Sequence, residues 1–344
     1  MNAFLQENLW LVNLLVKIIA LLFILLTAVA YLVWMERKVV AHIQSRWGPY
    51  RVGPHGLLQP LADGLKFLFK EDITPMNADP LLYRLAPFLS LTLALLAVVA
   101  IPFGPTFYIA DLNIGLLFIL AVTSLGVYGI ALAGWASNSK YPLLGSLRSA
   151  AQMVSYELAL GLGLVGVLML SGTFNLREIV EQQAGFWSFQ GIRFFPRWNI
   201  LPQCVGFFVY FTAAMAETNR SPFDLPEAET ELVAGFHTEY SSFKFAMFFI
   251  AEYTNMVIVS CLATLLFFGG WMGPVFGPPW LRIILPTFWF VLKVLAFMFF
   301  YIWTRGTLPR FRYDQLMAFG WKFLLPVGIF NILVTGFILA WQAS

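Results

Sequence analysis

Eight stretches of this chain run for 16 to 26 residues with hardly a charge among them, and no other feature limits its fold so tightly. They lie roughly at Leu9–Trp34, Leu85–Pro102, Ile114–Trp135, Ala150–Leu170, Leu201–Ala216, Phe245–Phe268, Ile283–Trp303 and Leu316–Trp341. A bilayer core of about 30 Å takes about 20 apolar residues as a helix, whereas a membrane β-barrel shows segments of about 10 residues in strict alternation. The runs here do not alternate, so the expected fold class is all-α. The chain reads as one integral membrane domain over residues 1–344, with about eight transmembrane helices plus amphipathic helices on the cytoplasmic side. A composition of 60% hydrophobic and 11% charged residues agrees. The first run exceeds a signal peptide's apolar core and has no basic leader, so it is expected to stay as a helix. The fifth is short and ends at Glu217.

Basic residues orient the bundle. Fourteen of the 21 Lys and Arg fall in the loops after spans one, three, five and seven, against four in the opposite loops. The positive-inside rule places the first set on the cytoplasmic side and both termini on the periplasmic side. Two loops on the basic side stand out, an amphipathic one at about 37–82 and an acidic one at about 217–243. In GLLQPLADGLKFLFKE, Leu57, Leu61, Leu65 and Leu68 follow helical spacing while Gln59, Asp63, Lys66 and Lys70 take another face. Such a helix either lies in the membrane interface or packs its leucines on the bundle. The preceding SRWGPYRVGPHG is expected to be a fixed irregular loop, its basic and aromatic residues facing lipid headgroups or a soluble partner. Nucleic acid is not an expected partner. On the opposite side, the aromatics of 171–199 suit an interfacial belt and GGWMGPVFGPPW a rigid turn, and neither is assigned chemistry.

The acidic stretch carries the functional signal. Seven of the 18 acidic residues sit in the 37 residues Glu217–Tyr253, at Glu217, Asp224, Glu227, Glu229, Glu231, Glu239 and Glu252. Glu252 falls inside the sixth span, with Asn255 one turn on, and Glu157 inside the fourth, near Gln152, Ser155 and Tyr156. An ionisable group at membrane depth costs several kcal/mol and tends to line a bundle interior or a water cavity. Buried neighbouring carboxylates hold protons more tightly. These acids are therefore expected to form a proton-exchanging row. Lys293, in the seventh span, reads as a functional charge or as a structural ion-pair partner of one glutamate. At the boundary, Glu36, Arg37 and Lys38 end the first span, and Arg305, Arg310 and Arg312 follow the seventh, as headgroup anchors or as a fork for a polar substrate head. The cysteines, Cys204 and Cys261, and the histidines, His42, His55 and His237, lack the spacing of a metal or haem site. No metal site and no redox centre is expected in this chain.

Four motifs then carry a resemblance: GLLQPLADGLKFLFKE, SPFDLPEAETELVAG, AEYTN and RGTLPRFRYDQLMAFGWK. In this order, and over nearly the whole chain, they resemble the H-type membrane subunits of proton-pumping NADH:quinone oxidoreductase, respiratory complex I, the mitochondrial chain 1 family. The charged motif positions show no departure. The resemblance implies one component of an oxidoreductase, joining the electron-transfer arm to the membrane arm; of a bacterial inner membrane and an organelle membrane, the bacterial one is the expected location. Quinone would be substrate, with FMN and iron–sulfur clusters in partner subunits. It implies that Glu36, Arg37, Asp63, Lys66, Phe249, Arg305 and Arg310 line the quinone passage. It also implies that Glu157, Glu217, Glu227, Glu229, Glu231 and Glu252 lead from that chamber toward the pumping subunits. From the residues alone, a proton-coupled carrier or the related joint subunit of a membrane-bound hydrogenase stays open.

Overall fold

The computed structural model describes residues 2–189, 192–224 and 233–343. The first helix, α1, runs from Asn2 to Ile43. A short turn and α2 (Gln59–Phe69) lead to α3 (Pro80–Val98) and α4 (Gly115–Ala136). The 32-residue α5 (Lys140–Ser171) is followed by α6 (Leu176–Gln182), then α7 (Cys204–Glu217) and α8 (Ser242–Phe267). Last come α9 (Pro279–Thr307), α10 (Tyr313–Phe319), a π turn at Gly320–Leu324, and α11 (Leu325–Ala343).

Among the described residues, seven helical runs are long and apolar enough to cross a membrane. The fifth expected span, α7, is shorter at 14 residues, about 21 Å at 1.5 Å per residue. It packs one face against α5 and leaves Val205 and Phe208 exposed on the other. Close approach is possible because Gly163 meets it edge-on: a Cβ there would stand 2.7 Å from the Tyr210 nitrogen. Buried polar groups pin α7 to α11, with Asn331 donating to Gln203 at 2.8 Å and Gln203 to Thr335 at 2.9 Å. The all-α plan has one addition, an antiparallel hairpin pairing Phe186–Phe189 (β1) with Ile192–Pro196 (β2) in the aromatic loop.

The exposed surface of α2 settles one open reading. No residue of this helix is buried, and Leu61 and Leu68 are 66% and 62% exposed. The leucines therefore face outward while Asp63 faces α1, so this helix does not pack its apolar face on the bundle. The loop before it is fixed as expected: Gly56 has φ +77°, and a Cβ there would stand 2.2 Å from the Pro49 carbonyl oxygen.

Lys293 does not take the structural ion-pair role foreseen for it. Among the described residues it makes no ion pair with a glutamate. Its ammonium donates to the carbonyls of Phe268, Gly270 and Met272 at 2.8, 2.9 and 2.8 Å, closing the chain reversal after α8. Helix ends leave carbonyls without intrahelical partners. Gln183 and Asn199 satisfy two more here, at Leu265 and Leu266. The charge goes to backbone, because the reversal GGWMG turns too tightly to satisfy its own oxygens.

Candidate functional site

The site begins where α1 outruns its apolar stretch. The helix continues past Trp34 and carries Glu36 into a position 7% exposed, between α8 and α9. A lone carboxylate there would be costly, and three donors offset the cost. Tyr253 of α8 donates its hydroxyl at 2.5 Å, Arg305 of α9 pairs with one carboxylate oxygen, and Arg220 reaches the same oxygen at 3.5 Å. Arg220 also lies 2.8 Å from a Glu252 oxygen through its Nε, with its guanidinium 4.2 Å above the Tyr253 ring. Two acids and two bases meet here, and pairing of this kind is the condition under which charges persist in a low-dielectric interior.

The turn after α7 holds Arg220 in place. Asn219 adopts φ +50° and donates to Ser149 at 3.0 Å. Gln152 donates to the carbonyls of Ala216 and Phe223, both at 2.8 Å, gripping the turn on either side of Arg220. Beyond it, Asp224 is buried and pairs with Arg310 at 3.1 Å, and Phe223 stacks on Phe311. The candidate acids Glu227, Glu229 and Glu231 lie outside the described residues.

On the inner side of Glu252 a cavity of about 40 Å³ is lined by Glu217, Glu252, Ser90, Asn219 and Asn255, among others. One water needs about 10–15 Å³, so the space admits water. The Ser90 hydroxyl, Glu217 Oε2 and Asn219 Oδ1 are buried there without a hydrogen-bond partner among the described residues. Buried polar atoms require partners, and all three residues line this cavity, where water could supply them. Past Glu217, Glu157 on α5 is half-buried and close enough to interact electrostatically with it. The polar company expected from α5 itself serves backbone instead: Ser155 donates to Ala151 and Tyr156 to Leu316.

A second, outer group joins α1 to α2. Arg37 pairs with Asp63 at 2.7 Å, Lys66 lies 3.4 Å from the same carboxylate, and Gln59 donates to it at 3.1 Å. Phe249 packs on Tyr253 with ring centroids 4.9 Å apart, and on Phe245, which meets Phe67 of α2. The structure thus brings Glu36 and Arg305 together and sets Arg37, one residue further along α1, against Asp63 and Lys66 of α2. Arg310 is kept apart, on Asp224. Neither Arg220 nor Tyr253 stands out in the sequence as part of a site. Tyr253 was within reach, since it shares a helical face with Phe249 at i+4.

Among the described residues, no group of three His, Cys, Asp or Glu is placed to hold a metal ion. His42 lies 2.7 Å from the Lys38 carbonyl, and His55 sits edge-on to Tyr50. His237 packs between Phe236 and Phe245, where burial pushes its imidazole down to about 4.

Comparison with known proteins agrees over nearly the full length. A family model described as NADH dehydrogenase matches residues 16–336. The chain is 62% identical over 350 residues to the NADH-quinone oxidoreductase H 2 subunit of Koribacter versatilis, covering 95% of this chain and 96% of that one. It is 52% identical over 394 residues to the H 1 subunit of Solibacter usitatus, covering 96% and 97%. Against the H subunit of Thermomicrobium roseum the identity is 52% over 330 residues, covering 93% and 94%.

Proposed function

This chain belongs to the NADH dehydrogenase family as an H subunit of NADH-quinone oxidoreductase, and on that premise we propose that it couples quinone reduction to proton translocation. It is an integral membrane component of an oxidoreductase complex. The quinone headgroup enters beside Glu36, Arg37, Asp63, Lys66, Phe249, Arg305 and Arg310, and its reduction draws on electrons delivered by a partner subunit. FMN and iron–sulfur clusters belong to such partners, and this chain supplies positioning and charge. The carboxylates Glu252, Glu217 and Glu157, together with Glu227, Glu229 and Glu231, take up the resulting proton demand and pass it toward neighbouring membrane subunits. The bilayer is a bacterial inner membrane, with the termini on the periplasmic side.

One observation carries this reading: the ion-paired group Glu36–Tyr253–Arg305–Arg220 abuts Glu252, and a water-sized cavity is lined by both Glu252 and Glu217. A charge or proton change at the outer member is felt inside, because low dielectric strengthens Coulomb coupling. The exposed aromatic and apolar residues Trp47, Phe69 and Met76, on the basic side, suit a soluble arm of the complex docking there. Photo-crosslinking of the intact complex with a quinone probe tests the passage. Labelled peptides are expected around Glu36 and Asp63. Labelling confined to α3, α4 and α5 would overturn the assignment.

A further inference from the structure

Arg220 is held more firmly than an anchor for one carboxylate requires. Its side chain is 7% exposed, it stands between Glu36 at 3.5 Å and Glu252 at 2.8 Å, and it lies over the Tyr253 ring that also serves Glu36. The turn bearing it is clamped by two side chains of α5, Ser149 and Gln152, which fixes the backbone from which the guanidinium reaches both acids. Among the described residues, no other cation is paired with both the outer acid and an acid lining the inner cavity.

We propose that Arg220 is a shared counter-ion, through which the charge on Glu36 sets whether Glu252 keeps its proton. The inference rests on the reading of Glu36 as part of the quinone passage and deepens it. While Glu36 is ionised, it divides the guanidinium with Glu252, and Glu252 holds a proton. When Glu36 takes up a proton, the guanidinium serves Glu252 alone. Glu252 then releases its proton into the cavity it shares with Glu217, and that carboxylate or water beside it receives the proton. One proton bound outside is thus matched by one released inside, and the summed charge of Glu36, Arg220 and Glu252 stays the same throughout. The fork is essential: its Nη1 and Nε address different acids at once, which the single ammonium of a lysine cannot reproduce.

Difference infrared spectroscopy of the intact complex in vesicles tests this, reading the protonated-carboxyl band that disappears in Glu252→Gln. In the native complex a quinone-site ligand is expected to change that band. In Arg220→Lys, which keeps the charge, the ligand is expected to leave it unchanged, and fewer protons should move per NADH oxidised. A native-like band change in Arg220→Lys overturns the shared counter-ion while leaving the quinone passage standing. A native complex in which ligand binding never touches the band overturns both. Should Arg220→Lys not assemble, Glu36→Gln decides alone. Its resting complex is expected to show Glu252 ionised over a range about 1 pH unit wider than in the native complex, the scale of a neighbouring charge, and an unmoved titration overturns the proposal.

Discussion

Replacing Tyr253 by phenylalanine deletes one hydroxyl from the buried charge group and leaves the ring under Arg220 intact. Tyr253 is 2% exposed and Glu36 7%, so water cannot replace the lost donor on Glu36 Oε2. A hydrogen bond to a charged group contributes about 1.5–3 kcal/mol. Arg305 cannot recover the difference, since its side chain is 40% exposed and its attraction is screened. A loss of about 2 kcal/mol corresponds to about thirtyfold in an equilibrium constant, and relaxation of neighbours brings the expected effect nearer tenfold. The assay is NADH:quinone turnover in membrane vesicles against quinone concentration, with a water-soluble electron acceptor as control. Turnover per quinone is expected to fall about ten- to thirtyfold, with the control rate unchanged. A Tyr253→Phe complex within about twofold of native would refute the reasoning, for it would mean that the hydroxyl holds no charge that matters to quinone.

Other perturbations test the scaffold. Lys293→Met strips three carbonyls of their donor, at about 1–3 kcal/mol for each one left unsatisfied. The complex should dissociate at lower temperature in detergent while the protons moved per NADH in intact complexes stay native. Gly163→Val places side-chain carbon against the Tyr210 backbone, where a Cβ has only 2.7 Å. Overpacking of this kind costs about 1–3 kcal/mol or more, and native gels should show little assembled complex. His237 is held down to about 4 by burial, against about 6.5 in the unfolded chain. Its contribution to stability is therefore complete above about pH 6.5 and is lost as pH falls toward about 4. His237→Phe should flatten the acid side of the thermal-stability profile.

Much of the bundle is legible because membrane helices are written as length and apolarity, properties local to each segment. The runs containing Glu157, Glu252 and Lys293 are visible on that basis, and so is the oddity of charges inside them. What escapes is whatever depends on partners distant in the chain. Arg220 reads as one more cytoplasmic-side basic residue until Glu36, 184 positions away, arrives beside it. Lys293 invites an acidic partner, yet carbonyls exposed by a tight reversal compete for it better, and no residue pattern announces free carbonyls. The leucine face of α2 is plain in sequence. Its direction is not, because periodicity specifies a face without saying whether lipid or protein lies against it. The short α7 is similar: its 14 residues look like a marginal span, and only the glycine at 163 and the polar grip of Gln203, Asn331 and Thr335 explain why it packs so closely on α5 and α11.

In the proposed coupling, acids kept inside this bundle answer to quinone reduction next to it. Vesicles containing the intact complex, with Glu252→Gln or Glu217→Gln, can be followed for NADH:quinone turnover and for acidification in the same sample. Electrons are expected still to reach quinone while proton translocation per NADH collapses in both variants. Native translocation in both would contradict the coupling.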